Sequence, residues 1–326
     1  MKVAIAGAGM TGAYLYRLLV RKGHEVDLYD LENGTRCGLT PCAWGTSGGF
    51  GPLVEANGLD PEKYISQRLT QVHMDDIPVG AELMTINKPS LITDLLQGAE
   101  IHRTPLDPKM FDRVIDATGV SRSLLPPIAN DIVLPCIQSM IHTSRALENR
   151  IRLGGIGYAW CFPLGNNRYH IGCGSFIKDP RTIMTQLGWL GSDHSRPPIV
   201  VICSCSGRIR LTSPEYSQPF VTNNGDFEVW GVGESIGCVA PLAGDGIVPG
   251  LRSAQLLVEH WDNPAAYRRA VIQEMGWMTG ERQVLDKAIE GRPINIFDAW
   301  VLKKNSRRMG MKMGIKSAFL LMRNIR

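Results

Sequence analysis

The chain has 326 residues, 44% of them hydrophobic and 20% charged, the balance of a folded globular protein with a sizeable core. Its net charge of +4 is too small to signal a nucleic-acid partner, and its eight cysteines include no CxxC pair and have no histidine cluster beside them, which argues against a zinc site or a secreted disulfide framework. The longest apolar run near the end, from Ala318 to Met322, is far short of the roughly 20 residues a spanning helix needs, so a cytoplasmic protein is expected.

In chain order, residues 3–6 (Val-Ala-Ile-Ala) predict a short buried strand, and 7–12 (Gly-Ala-Gly-Met-Thr-Gly) a tight turn. A helix over 13–22 is closed by Gly23, and a second strand over 25–29 ends at Asp30. Residues 33–56, rich in Gly, Cys and Thr, read as loop with a short helix. The apolar spacing over 60–75 and 89–98 predicts helices, with a strand at Thr85–Ile86 between them. Residues 112–116 predict another buried strand, leading into Ala117-Thr118-Gly119. From 132 the pattern changes to short β runs separated by turn residues, near 132–134, 157–162, 169–174 and 199–203, which predict an antiparallel sheet. A strand at 227–232 and a helix at 247–260 follow, and the remainder is helical. The implied divisions are 1–131 and 220–260 for one α/β domain, 132–219 for the sheet domain, and 261–326 for a helical C-terminal region.

The glycine turn makes a physical demand. Gly7 permits the turn, Gly9 lets the backbone approach a pyrophosphate, and Gly12 lets helix and strand pack closely. Phosphates would rest on the positive helix end that opens at Met10 and Thr11. Asp30, at the tip of the second strand, is placed to accept ribose hydroxyls. Strand, turn, helix, strand and acid all fall in register, which predicts a dinucleotide site. Two later segments favour FAD over NAD: the strand ending at Ala117 and Gly119, and a run from Gly233-Glu234 to Pro241-Leu242-Ala243-Gly244-Asp245-Gly246-Ile247. The latter is similar to the second motif of flavoproteins. There an acid binds the ribityl chain, and a Pro-x-x-Gly-x-Gly turn opens a helix beneath the isoalloxazine. Glu234 stands where such proteins usually carry Asp.

Residues 158–174 read YAWCFPLGNNRYHIGCG, a YxWxFP element followed after eight residues by GxG. Alternation along a strand puts Tyr158, Trp160 and Phe162 on one face as an aromatic wall. Pro163 is expected to stop the ladder, and Gly165-Asn166-Asn167 to turn the chain back. Gly172 and Gly174 remove side chains from one face, which would admit a ligand. Together with Arg36-Cys37-Gly38 and the flavin motifs, this segment resembles the geranylgeranyl reductase family, in pieces from residue 1 to about 255.

The resemblance implies an α/β protein with a two-dinucleotide-binding, Rossmann-like FAD domain, an antiparallel-sheet substrate domain and a helical C-terminus. It implies FAD-dependent reduction of carbon–carbon double bonds in a polyprenyl chain by hydride transfer from flavin N5. Tyr158, Trp160, Phe162, Gly172 and Gly174 would meet the isoprenoid lipid, and Arg36 would hold the adenosine or pyrophosphate. Cys37 would lie near the flavin and donate a proton, with Tyr158 as an alternative source; Cys37 reads equally as a packed loop cysteine, and Cys42 matches less well. The electron donor, whether ferredoxin, NAD(P)H or another, is not legible. An aromatic-ring monooxygenase on the same fold and a flavin-binding electron carrier without turnover are the rival readings.

From Phe297 onward eight Lys/Arg face one acid. Over 311–326, Lys312, Lys316 and Arg323 share one side of a helical wheel, and Met311, Ile315, Ala318, Leu321, Met322 and Ile325 the other. This pattern suits the inner surface of an anionic membrane, and it suits equally an apolar face packed on the protein's own core.

Overall fold

The computed structural model describes residues 1–31, 43–190, 197–223 and 225–324. Strand β1 (Lys2–Ala6) leads through the glycine turn into α1 (Met10–Arg21), and β2 (Glu25–Tyr29) follows. Val3, Ala4 and Ile5 are fully buried, the continuous apolar run of a central parallel strand. Helix α1 buries Ala13, Tyr14, Leu15 and Leu19, and Gly23 takes the left-handed φ of +82° that turns the chain toward β2.

Next come β3 (Gly45–Ser47), α2 (Phe50–Ala56), β4 (Ile65–Met74), β5 (Ile77–Ile86), α3 (Lys88–Leu95), β6 (Ile101–His102) and β7 (Arg113–Asp116). Residues 65–74 therefore form a strand where the apolar spacing predicts a helix. Register shifts between Ile65 and Gln67 and between Leu69 and Gln71 bulge this strand. The bulges convert a two-residue alternation into an apolar spacing of three and four, which imitates a helical face. The strand expected at Thr85–Ile86 is the end of the ten-residue β5.

The chain continues with β8 (Val133–His142), β9 (Arg150–Leu153), β10 (Gly157–Gly165), β11 (Arg168–Ser175), α4 (Pro180–Gln186) and β12 (Val200–Arg210). It returns through β13 (Val221–Asn223) and β14 (Glu228–Gly231) to α5 (Ile247–Glu259) and α6 (Pro264–Met275). It ends with α7 (Trp277–Ile289), α8 (Ile296–Ser306), β15 (Met311–Lys312) and α9 (Ile315–Arg323).

Two sheets organise these elements. The first has the order β13-β14-β7-β1-β2-β6 and is parallel except for the β13–β14 pair. The second runs β12-β8-β11-β10-β9-β4-β5-β15, with β3 paired to β5. It draws β3, β4, β5 and β15 from outside residues 132–219. Pro163 does not end its ladder: it pairs opposite Tyr169, and β10 runs on to Gly165 before the left-handed turn at Asn166 and Asn167. The Pro163 carbonyl accepts from Thr85 Oγ1 at 2.7 Å.

A separate apolar core lies between β4–β5 and the C-terminal helices, built from Val72, Met74, Val79, Leu302, Met311 and Leu321 among others. The tail divides accordingly. Met311–Lys312 adds a short strand to β5, and in α9 Ala318, Leu321 and Met322 are wholly buried. Of the apolar face read over 311–326, Met311, Ala318, Leu321 and Met322 are spent on the protein's own core, while Ile315 is exposed and Ile325 lies outside the described residues. No helix among the described residues is long and apolar enough to cross a membrane.

Candidate functional site

The loops that follow the C-terminal ends of β1, β2, β7 and β14 converge on one cavity of about 590 Å³, where open α/β sheets place ligands. At its floor is the glycine turn. Gly7 has φ +106°, and a Cβ there would lie 2.4 Å from the Ala117 carbonyl oxygen. A Cβ on Gly12 would lie 1.8 Å from the Gly7 oxygen. Gly9 differs: nothing stands within 4 Å of where its Cβ would be, and no side chain caps α1 behind it. The backbone there is open to the cavity, and the helix end offers its N–H groups to an anion. Met10 and Thr11 also line the cavity, and Thr11 packs besides between Gly233 and Gly250, where Cβ atoms would come within 2.8 and 2.5 Å of its hydroxyl.

Asp30 lines one end beside Tyr29 and Leu31. Arg103 lies 3.7 Å from its carboxylate, yet burial outweighs that cation and the N–H of Ala8 and raises its pKa. Ala117 and Gly119 line the middle. They are held by Asp116, whose carboxylate accepts from the N–H groups of Thr118, Leu124 and Leu125 at 2.9–3.1 Å.

Glu234 reaches the same stretch. Its Oε1 accepts from the Arg210 N–H at 2.7 Å, and a Cβ on Gly119 would lie 3.3 Å from its Oε2. Burial raises its pKa despite the nearby Arg210 and Lys88. The Arg210 guanidinium donates to the carbonyls of Gly119, Val120 and Glu234 at 2.8–3.2 Å and to Asp131 at 3.0 Å. It therefore binds the β7 and β14 loops into one wall.

The segment 241–247 forms the opposite wall. Gly244, Asp245, Gly246 and Ile247 line the cavity, while Pro241 is buried behind them. Gly244 adopts φ +65° and donates its N–H to the Ala240 oxygen at 2.8 Å. Asp245 accepts from the Ile247 N–H at 3.1 Å, and burial pushes its carboxyl up to about 6. Helix α5 starts at Ile247 with its N-cap at Gly246; Asp245 takes the Ile247 N–H, and the next N–H groups of this second helix end have no side-chain cap.

Tyr158, Trp160 and Phe162 all line the far end, as alternation on β10 requires. The Tyr158 and Trp160 rings are 5.6 Å apart, and Phe162 lies 3.4 Å from where a Cβ on Gly45 would be. Tyr158 meets the 241–247 wall: a Cβ on Gly244 would fall 1.9 Å from its hydroxyl oxygen. Gly172 and Gly174 do not line the cavity. The space they leave is taken by the Trp160 indole and by Leu134, 2.1 and 2.6 Å from the respective Cβ positions. Their role in the structure is to seat those side chains, not to admit a ligand. Arg36, Cys37 and Cys42 lie outside the described residues.

With the fold and cavity in place, similarity to known proteins is informative. No protein-family model matches the chain. An uncharacterized protein of Methanocaldococcus jannaschii is 25% identical over 311 residues, spanning 79% of this chain and 82% of that protein. A geranylgeranyl bacteriochlorophyll reductase-like protein from Thermoplasma acidophilum superposes with a TM-score of 0.69 at 15% identity, over 88% of this chain and 87% of its own. A tryptophan 6-halogenase from Streptomyces toxytricini gives 0.66 at 16% identity, over 99% and 90%. A flavoprotein/dehydrogenase from Cytophaga hutchinsonii gives 0.64 at 13%, over 94% and 89%. The chain shares the fold of these proteins, a flavoprotein among them.

Within this fold, residues that sequence reasoning missed complete the fit to FAD. Lys88, only 7% exposed, lines the cavity at the start of α3 with no carboxylate in ion-pair reach among the described residues. Thr46 and Trp160 also line it, and their Oγ1 and Nε1 atoms are buried with no hydrogen-bond partner among the described residues. A buried cation on the cavity calls for anionic company there. With the helix ends and the open backbone at Gly9, Lys88 suits the phosphates of FAD. The apolar lining from Leu69, Leu83, Ile151, Met309 and Met311 was also missed. The first two sit in or beside a segment misread as helix, and the last two in the tail, so no local signal placed them at the site. Among the described residues, no group of three or more His, Cys, Asp or Glu side chains is placed to hold a metal ion.

Proposed function

We propose that this protein is an FAD-dependent oxidoreductase that reduces carbon–carbon double bonds in a polyprenyl chain. The observation that carries the reading is that one cavity has two kinds of lining. Glycine turns, helix ends and Lys88 are the polar part, and Tyr158, Trp160, Phe162, Leu83 and Met309 the apolar part, with the Tyr158 hydroxyl set against the Gly244 turn. A hydrocarbon has nothing to hydrogen-bond along its length, so an aromatic and aliphatic wall is the lining it favours.

Bound and reduced, FAD supplies the hydride for one alkene carbon. The chain's own contributions are binding, alignment and the proton. Trp160 and Phe162 hold the chain and exclude water, which a poor hydride acceptor requires. The second carbon takes its proton from Tyr158, whose hydroxyl lies against the Gly244 turn, or from Cys37. The fold it shares with the Thermoplasma reductase-like protein and the YxWxFP element support this reading.

The test is mass spectrometry of prenyl lipids incubated with the chemically reduced protein. Gains of two mass units per double bond are expected, with Trp160→Ala losing most turnover while keeping its flavin. Oxygen uptake driven by NAD(P)H, with a hydroxylated or halogenated aromatic product and no reduced prenyl chain, would replace the reading.

A further inference from the structure

Helix α8 presents a surface that the fold does not use. Its inward face, Asp298, Ala299, Leu302, Asn305 and Ser306, is buried. Its outward face opens with Ile296, Phe297 and Trp300, exposed by 51%, 76% and 53%. At helical spacing these three share one side, and the same side continues through Lys303 and Lys304, with Arg307 and Arg308 just past the helix end and the Arg308 guanidinium 5.9 Å from the Trp277 ring centre. The Lys304 ammonium lies 5.0 Å from the Trp300 ring centre. The helix has one acid, Asp298, turned inward and paired with Lys287 at 2.6 Å. Among the described residues none of the four outward cations has a carboxylate in ion-pair reach.

We propose that the outward face of α8 docks the protein on an anionic lipid bilayer. The occupant follows from the chemistry of the face. It pairs three large apolar side chains with Lys303, Lys304, Arg307 and Arg308, none with a carboxylate in reach among the described residues, the combination by which a helix lies in a membrane interface: rings enter the acyl boundary and cations meet lipid phosphates. A soluble oligoanion would account for the cations and leave Ile296 and Phe297 in water. Continuity with the cavity favours the same occupant. Met309 and Met311, just beyond α8, line its apolar end, so an apolar ligand leaving a bilayer would enter beside the docked helix. The inference does not depend on which ligand that is. It also moves the membrane contact from 311–326, where Met311, Ala318, Leu321 and Met322 are buried, to 296–308.

The test is cosedimentation of the FAD-loaded full chain with vesicles of phosphatidylcholine containing phosphatidylglycerol. The protein should pellet with these and not with phosphatidylcholine alone, and added salt should release it. Removing a cation near an anionic surface weakens binding roughly fivefold, so Lys303→Gln with Lys304→Gln should weaken it about 25-fold. Phe297→Ser with Trp300→Ser should lose binding, and Phe297→Leu with Trp300→Phe should keep it. Flavin content should be unchanged throughout, because none of these side chains lines the cavity. Two results would overturn the proposal: failure of the wild type to pellet with anionic vesicles, or serine variants that pellet like the wild type. So would a wild-type dimer that the serine pair converts to monomer with vesicle binding intact, since the face would then join two copies of this chain.

Discussion

Glu281 is wholly buried in α7, behind the 241–247 wall. Its Oε2 accepts from the Leu242 N–H at 3.2 Å, and the Asn305 side chain is its other polar neighbour. Burial pushes its carboxyl from the ordinary 4.5 up to about 7, against the opposing effects of the Leu242 and Asn305 hydrogen bonds. The folded pKa is above the unfolded one, so the fold favours the protonated form. Between about pH 4.5 and 7 the unfolded chain ionises while the folded chain keeps its proton, and stability falls as pH rises through that window. Above it the full penalty applies, about 3 kcal/mol. Glu281→Gln puts a neutral group of the same shape in that place and should remove the penalty. Relative to wild type, the variant should gain little at pH 4.5 and about 3 kcal/mol at pH 8, or about 4–5 °C in Tm for a chain of this length. Thermal and urea unfolding at several pH values, at matched flavin occupancy, measure the difference. A pH-independent offset, or a variant less stable at pH 8, would refute the argument that a buried carboxyl burdens this core.

Two further predictions separate packing from binding. Gly12→Ala places a Cβ 1.8 Å from the Gly7 oxygen and should cost on the order of 3 kcal/mol of stability. Gly9→Ala meets no atom within 4 Å at an ordinary φ of −69°, so it should leave Tm nearly unchanged while lowering flavin affinity. Flavin-to-protein ratio and Tm on the same samples decide, and a tolerated Gly12→Ala or an unfolded Gly9→Ala would break the assignment. Cys37→Ala should retain FAD but slow reoxidation of the reduced protein by prenyl substrate ~10²–10⁴-fold, the usual contribution of a general acid. Full speed in that variant, with the deficit found in Tyr158→Phe, would move the proton to Tyr158.

What the sequence by itself determined is local and covalently compact. Gly7, Gly9, Gly12 and Asp30 fall within one βαβ unit, so spacing alone fixes their mutual geometry, and the structure places Gly7, Gly9 and Asp30 on the cavity, with Gly12 packed against the Gly7 oxygen. The same holds for Tyr158, Trp160 and Phe162, because the two-residue period of a strand puts alternate side chains on one face wherever the strand is docked. Strand β4 escaped because its bulges carry the spacing of a helix, a pattern resolved only by pairing with β5. Gly172 shows the limit from the other side: a glycine on a strand announces missing volume, but only packing shows that the Trp160 indole fills it. Lys88 and Arg210 are ordinary cations in the sequence. Their meaning arises from burial, Lys88 with no carboxylate in ion-pair reach among the described residues and Arg210 clamped over three carbonyls, and burial depends on segments more than 20 residues away. The C-terminal wheel was legible as amphipathic, yet a single segment does not say which apolar face the core will claim. The second core took the face of α9 and left Ile296, Phe297 and Trp300 of α8 in water, because apolar area is buried where β4 and β5 supply a matching surface.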